Sequence, residues 1–359
     1  MSAELSTQII GGMFGLADLS ERGRSFPPFV TRQTLFLASA RSGIALLLKH
    51  LAPGRLWLPS FYCNHLLKTL QQCGVPVSLY GIGADLQPVS LEWTAEVEPG
   101  DLVIMVDYFG FPCNLEHKRR LKGQGAMVLE DACQALLSSG VGQGADFVLY
   151  SPRKFLGVPD GGLLVLNSRT ELLEIRPGDP PADWWQKSYG SALRRRDFDA
   201  GSDDRSWYPL FREADAGAPT RCCAMSQLSR LLLLQGFGYK RIARQRIDNY
   251  RLLADRLGDL ALFPDLPEGV VPLGFPVRLR DRDRVRQICF DQGIYPPLHW
   301  PIRGVVPDTF CDSHQLSMEI MTIPCDQRYG HKDMERVAFC ISAAAAMSQH
   351  LTSPIGDQP

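Results

Sequence analysis

The sequence predicts an α/β fold built on a mainly parallel sheet, and three observations carry that prediction. Short strand-like runs, apolar apart from an acid at one end of the first two, recur at Asp101 to Val106, Met127 to Glu130, Phe147 to Tyr150 and Leu163 to Leu166, as strands covered on both faces require. Helical stretches alternate with them, so that Arg55 to Tyr80 reads as one β-α-β unit. Chemically demanding side chains then fall just past strand ends, where open α/β sheets bind their ligands: Asp131 after one run and Lys154 after the next.

Composition narrows the possibilities. At 359 residues the chain can bury a large core and fill two domains. A hydrophobic content of 45%, a charged content of 21% and a net charge of -1 give no electrostatic case for binding nucleic acid or an anionic membrane. The basic run Arg194-Arg195-Arg196 is answered at once by Asp197 and Asp199. The first residues lack a signal-peptide pattern and no apolar window spans a bilayer, so a cytoplasmic protein is expected. Ten cysteines without a Cys-x-x-Cys pair read as free thiols, and seven histidines without ligand spacing predict no structural metal.

In chain order, residues 1–30 are expected to form an irregular arm. Gly11, Gly12 and Gly15 do not make a dinucleotide fingerprint, because no strand precedes them. Residues 31–235 are the expected large domain. Arg41-Ser42-Gly43 opens a helix that continues to Leu51, and helix-start amides suit a phosphate as well as an ordinary cap. The strand Arg55 to Pro59 leads to Phe61 and Tyr62. Asp101 to Val106 is a strand leading to Asp107-Tyr108-Phe109-Gly110, and a crossover helix spans Leu115 to Gly125. The next strand delivers Asp131, with Gln134 three residues on; a helix cap is the alternative for the first and a surface position for the second. From 175 to 219 the sequence turns to proline, charge and aromatics, expected to be partly helical and irregular. Helices are predicted over Cys222 to Leu234 and Tyr239 to Leu257. Residues 236–359 form the expected small α+β domain, with strands at Leu273 to Leu279 and near Ile294 and Ile320, helices over Arg282 to Gln292 and Asp333 to Ala343, and a polar end.

The chemistry concentrates between Phe147 and Leu166. A lysine between two buried strands is costly unless it is paired, neutralised or used, and burial makes its amine a nucleophile able to form a Schiff base. The local alternative is a lysine that reaches solvent from a loop. A pyridoxal phosphate (PLP) site needs a lysine, an acid for the pyridine nitrogen, phosphate donors and a ring stack. Lys154, Asp131, the Arg41-Ser42-Gly43 turn and the Tyr62 loop supply all of these in order.

On these motifs the chain resembles the DegT/DnrJ/EryC1/StrS family of PLP-dependent aminotransferases, from about Ser39 to Val337. The resemblance implies the fold-type-I architecture: a large domain with a mainly parallel seven-stranded sheet, and a smaller C-terminal α+β domain. It implies that Lys154 carries the cofactor, that Asp131 meets the pyridine nitrogen and Gln134 the ring hydroxyl side, and that Ser151, Arg41, Ser42 and Gly43 hold the phosphate. Tyr62, or Phe61 in its place, would stack on the ring. Tyr108 and His299 would lie beside the substrate. Ser151 stands three residues before Lys154, a spacing closer to other fold-type-I aminotransferases. Asp160 replaces the family's glutamate, and Pro219-Thr220-Arg221 stands where the family has a neighbouring-subunit asparagine.

The implied reaction transfers an amino group from glutamate or glutamine to a keto sugar on a nucleotide carrier, within surface-polysaccharide or secondary-metabolite synthesis. The implied partners are these small molecules and a second copy of the chain. The apolar stretches Ile9 to Phe29 and 184–208 favour a homodimer on the same side, since a free loop should be more polar. Two other readings remain: a different PLP reaction on the same fold, such as a lyase, decarboxylase or dehydratase, or a regulatory protein without turnover. Family dehydratases put histidine where Lys154 stands, and loss of the lysine or acid would mark a silent relative.

Overall fold

The computed structural model describes residues 8–18, 25–71 and 73–352. Residues 1–7 and 19–24 of the expected arm, and the polar end from 353, lie outside the described residues. The strands are β1 (Ile10–Gly11), β2 (Thr34–Leu37), β3 (Leu56–Pro59), β4 (Val77–Tyr80), β5 (Leu102–Val106), β6 (Met127–Asp131), β7 (Phe147–Tyr150), β8 (Gly162–Leu166), β9 (Phe275–Arg278), β10 (Ile294–Tyr295) and β11 (Ile320–Ile323). The helices are α1 (Ala40–Leu51), α2 (Asn64–Leu70), α3 (Leu115–Gly123), α4 (Ala182–Asp199), α5 (Trp207–Ala216), α6 (Gln227–Gln235), α7 (Tyr239–Leu257), α8 (Arg282–Asp291), α9 (Cys311–Glu319) and α10 (His331–Thr352).

A seven-stranded sheet in the order β2-β8-β7-β6-β5-β3-β4 forms the backbone of the fold. Strands β4, β3, β5, β6 and β7 run parallel, and only β8 is antiparallel to its two neighbours. Every residue of β3, β5, β7 and β8 is buried, which explains why these runs read as continuous rather than alternating hydrophobics. The expected α/β class and the mainly parallel sheet are what the structure has.

A second core gathers Tyr250, Leu253 and Leu257 of α7 with β9, β11, α8 and α10. Helix α7 joins the two cores, because Tyr239 and Ile242 at its start belong to the first. It spans Tyr239–Leu257, as its spacing predicts, whereas α6 starts at Gln227, after the expected Cys222, because Ser226 caps it by accepting the Ser229 N–H.

The stretch 175–219 differs most from expectation: α4 and α5 make a helical hairpin. The inward face of α4 carries Trp184, Ser188, Ser191, Ala192 and Arg195, too few apolar residues for a 3.6-residue hydrophobic period to stand out. The same segments also bury themselves within their own chain. Ile10 is inaccessible, and Trp184 and Trp207 are buried. Ile10 pairs with Ile294, Leu16 donates to the Ala192 carbonyl at 2.8 Å, and Arg195 donates to the Gly11 carbonyl at 3.0 Å. Much of their apolarity is therefore used within the chain, although Phe26 and Tyr208 stay exposed. The ten cysteines are all free, and no helix among the described residues is long and apolar enough to cross a membrane.

Candidate active site

Because β3, β5, β6 and β7 are parallel, their carboxyl ends open on one side of the sheet. The residues at or just past those ends, Tyr62, Tyr108, Asp131 and Ser151, are brought to that side together. Neighbouring residues of β6 face opposite ways. Glu130 turns to the far side, where its carboxylate binds the buried Lys118 ammonium at 2.8 Å, and Asp131 turns to the site.

Asp131 is buried, with one carboxylate oxygen accepting the Tyr62 hydroxyl at 2.5 Å and the other the Cys133 N–H at 3.0 Å. Burial, and then the Asp131 charge, push the Tyr62 phenol well above its ordinary value, so it stays a donor. Its ring meets Trp300 edge-on at 6.2 Å. Phe61, the alternative stacking residue, is fully buried and packs on Trp300 and Tyr108. The Tyr108 hydroxyl donates to the Phe61 carbonyl at 2.5 Å, which ties its loop to the one after β3. The Gln134 amide oxygen accepts the Phe109 N–H at 2.7 Å, while its Nε2 is buried with no partner.

Lys154 closes a 3-10 turn, Pro152–Lys154, directly after Ser151. It is half-buried, and its side chain makes no hydrogen bond or ion pair among the described residues. His299 faces it from the loop after β10. Its Nδ1 lies 2.8 Å from the Thr322 hydroxyl of β11, and its ring packs edge-on against Phe109 at 5.7 Å. Burial and then the Lys154 charge push its imidazole down to about 3, so it is neutral at pH 7. Burial and then the Asp131 charge push the buried Cys133 thiol up, and the Lys154 charge acts against them.

The amino terminus of α1 reaches this space because two glycines let it. A Cβ on Gly162 would sit 2.2 Å from the Ser39 carbonyl carbon, and one on Gly43 2.7 Å from the Leu149 side chain. The paired glycine after the lysine loop is thus needed for close backbone approach. Ser39 caps α1, and the Ser42 hydroxyl lies 3.5 Å from the Pro219 carbonyl. The Arg41 guanidinium is engaged elsewhere, donating to the Asp215 carbonyl oxygen at 2.7 Å, while Arg153 binds the Asp215 carboxylate at 2.5 Å. Burial would raise the Asp215 carboxyl, but Arg153 and Arg41 outweigh it and hold it down to about 2. Asp160 accepts bonds from both Ser226 and Ser229 and so fastens α6 beneath the loop.

Three of these residues were not singled out in the sequence. Arg153 adjoins Lys154 and could have been, but Asp215 arrives on the unforeseen hairpin, and Trp300 meets the site only through folding. The residues present fit PLP: an unpaired amine, a strand-end carboxylate, the orphaned Gln134 amide and a capped helix start beside them.

Comparison with known proteins agrees. Residues 94–342, well over half of the chain, match the sequence profile of the DegT/DnrJ/EryC1/StrS aminotransferase family. Among solved structures, the chain is similar to the aminotransferase TlmJ from Streptoalloteichus hindustanus, at 16% identity and a TM-score of 0.68 over 95% of this chain and 100% of that one. It is similar to DesI, solved in the presence of its TDP-sugar product, at 16% identity and 0.66 over 97% and 95%. The sugar aminotransferase CalS13 from Micromonospora echinospora gives 15% and 0.59 over 94% and 99%. Likeness at such identity speaks for the fold. No curated protein matches. The profile match over most of the chain makes it a member of the DegT/DnrJ/EryC1/StrS family, and hence a PLP-dependent aminotransferase.

Proposed function

We propose that this enzyme transfers an amino group from glutamate or glutamine to a keto sugar carried on a nucleotide, in surface-polysaccharide or secondary-metabolite synthesis. The observation that carries the site assignment is that Lys154, without a hydrogen bond or ion pair among the described residues, follows β7 while Asp131, held by Tyr62 and Cys133, ends the parallel neighbour β6. The sugar is supported by DesI, solved with its TDP-sugar product, and by CalS13, both of this fold.

PLP, when bound, supplies an electron sink for the carbon that bears the migrating nitrogen. In this reading Lys154 would hold the cofactor aldehyde, and its amine would carry the proton at the substrate carbon. Asp131 keeps a proton on the ring nitrogen, and the hydroxyl of Tyr62 and amide of Cys133 fix the carboxylate for that task. Gln134 has a free amide N–H for the ring hydroxyl, and Ser151 with the Arg41-Ser42-Gly43 start of α1 takes the phosphate; Ser39 already holds the Ser42 N–H, so the donors left there are the amides before it. His299 stays neutral, its imidazole held down by burial and then by Lys154. Tyr62 is the proposed ring neighbour, and His299 the proposed substrate contact. Its donor and acceptor are small molecules, and we take the working form to be a homodimer, the commonest closed assembly.

The test is incubation of the PLP-loaded protein with glutamate and a TDP-linked keto sugar, with products separated and weighed. The reading expects a TDP-amino sugar and 2-oxoglutarate in equal amounts. Turnover of glutamate with simple 2-oxo acids, and none with any nucleotide-linked keto sugar, contradicts it.

A further inference from the structure

Lys154 ends a turn of three residues, and so short a 3-10 segment does little to fix a side chain by itself. The restraint comes from the next residue. The Phe155 carbonyl accepts a hydrogen bond from Gln327 Nε2 at 2.6 Å, and the Arg246 guanidinium lies over the Phe155 ring at 4.4 Å. Arg246 Nε in turn donates to the Gln327 side-chain oxygen at 2.7 Å. The three residues therefore close a triangle in which each touches the other two, although they come from the lysine loop, α7 and the loop after β11.

The supports of this triangle are themselves fastened. Arg246 Nη1 donates to the carbonyls of Pro272 and Leu273, both at 3.0 Å. Asn249, on the same helix, donates to the carbonyls of Cys325, Asp326 and Tyr329 and so fixes the loop that carries Gln327. From the other side, the Ala17 N–H donates to the Gly157 carbonyl at 2.8 Å, and a Cβ on Gly157 would meet the Gly15 carbonyl oxygen at 2.2 Å.

Arg246 stands out for what it costs. It is completely buried, burial pushes its guanidinium down to about 10, and Nη2 has no partner. A hydrocarbon side chain of similar volume would fill the space at less cost. What a hydrocarbon cannot do is orient Gln327 and press on Phe155 at once.

We propose that Arg246 and Gln327 are positioning residues for Lys154: by holding the carbonyl and ring of Phe155 they set where the lysine amine stands relative to Asp131. This rests on Lys154 being the cofactor lysine. It places control of the lysine in the part of the chain that follows α6, so movement there is felt at the amine.

Two variants test it. Gln327→Met keeps the stem and loses both amide bonds. Gln327→Glu still accepts from Arg246 but cannot donate to the Phe155 carbonyl. In the cofactor-free proteins, reductive methylation is followed across pH by peptide mass, with the exposed Lys240 and Lys332 as internal references. PLP is then added, its capture timed by visible absorbance, and the borohydride-reduced adduct mapped. Melting curves report folding separately. Positioning predicts that both variants capture PLP about tenfold more slowly, roughly the worth of one buried hydrogen bond. The Lys154 methylation midpoint moves while those of Lys240 and Lys332 do not, and the adduct stays on Lys154. Parental capture rate and midpoint in either folded variant, with the adduct on Lys154, overturn the positioning role alone. An adduct on another lysine in the parent protein removes the cofactor-lysine reading, and this proposal with it.

Discussion

Asp131 shows how one side chain can be judged by its partners. Both carboxylate oxygens are already held, by Tyr62 and by the Cys133 amide, so the group arrives oriented. Asp131→Asn keeps the shape and can keep one of those bonds while removing the charge. Loss of a charge partner in a buried site is worth about 3 kcal/mol or more, so the half-reaction with glutamate should slow at least about a hundredfold. Stopped-flow rates equal to the parent's would deny Asp131 the ring-nitrogen role. His299 gives a pH prediction. Its folded value of about 3 lies below the ordinary histidine value, so its stabilising effect is complete above about 6.5 and is lost as pH falls toward 3. The melting temperature should therefore drop between pH 6 and 4, and His299→Gln should flatten part of that slope. An unchanged slope in the variant contradicts a buried neutral imidazole. At this scale the sequence was legible for the placement of Asp131, Gln134 and Lys154, at or just past the ends of β6 and β7. It was silent on the bond from the Tyr108 hydroxyl to the Phe61 carbonyl and on the engagement of Arg41 by Asp215, because both depend on partners brought in by folding.

Among the elements, the buried strands and α7 could be read directly, since continuous apolar runs and a strong helical period are local signals. The hairpin of α4 and α5 could not, because Arg195 packs inside it, over the ring of Trp207 at 4.6 Å, where a pattern search expects an apolar residue. The contact between α1 and β8 was half legible: Gly161-Gly162 stood out, but not that Ser39 needs the space. Gly162→Ala should force these backbones apart, at a cost of about 1–3 kcal/mol as in other overpacked cores. It should also weaken PLP binding by withdrawing the α1 amides from the lysine loop. Calorimetry and a PLP titration check both, and a variant with parental stability and affinity would mean the close approach is dispensable.

At the scale of the whole molecule, two cores share α7, and the site lies at the sheet edge beneath loops from both. The arm and hairpin whose apolarity favours a partner bury much of it within their own chain, so the expected dimer stands on the commonness of closed pairs. Light scattering at micromolar concentration should give twice the 40.0 kDa chain mass, and a fully active monomer would exclude the pair as a requirement. The central claim is that the unpaired lysine at the edge of β7 is the one PLP uses. Its most direct measurement is borohydride reduction of the PLP-loaded protein followed by peptide mass mapping. The account predicts one phosphopyridoxyl group per chain, on Lys154, and none on a Lys154→Ala variant; a stoichiometric adduct on any other lysine of the parent protein would contradict it.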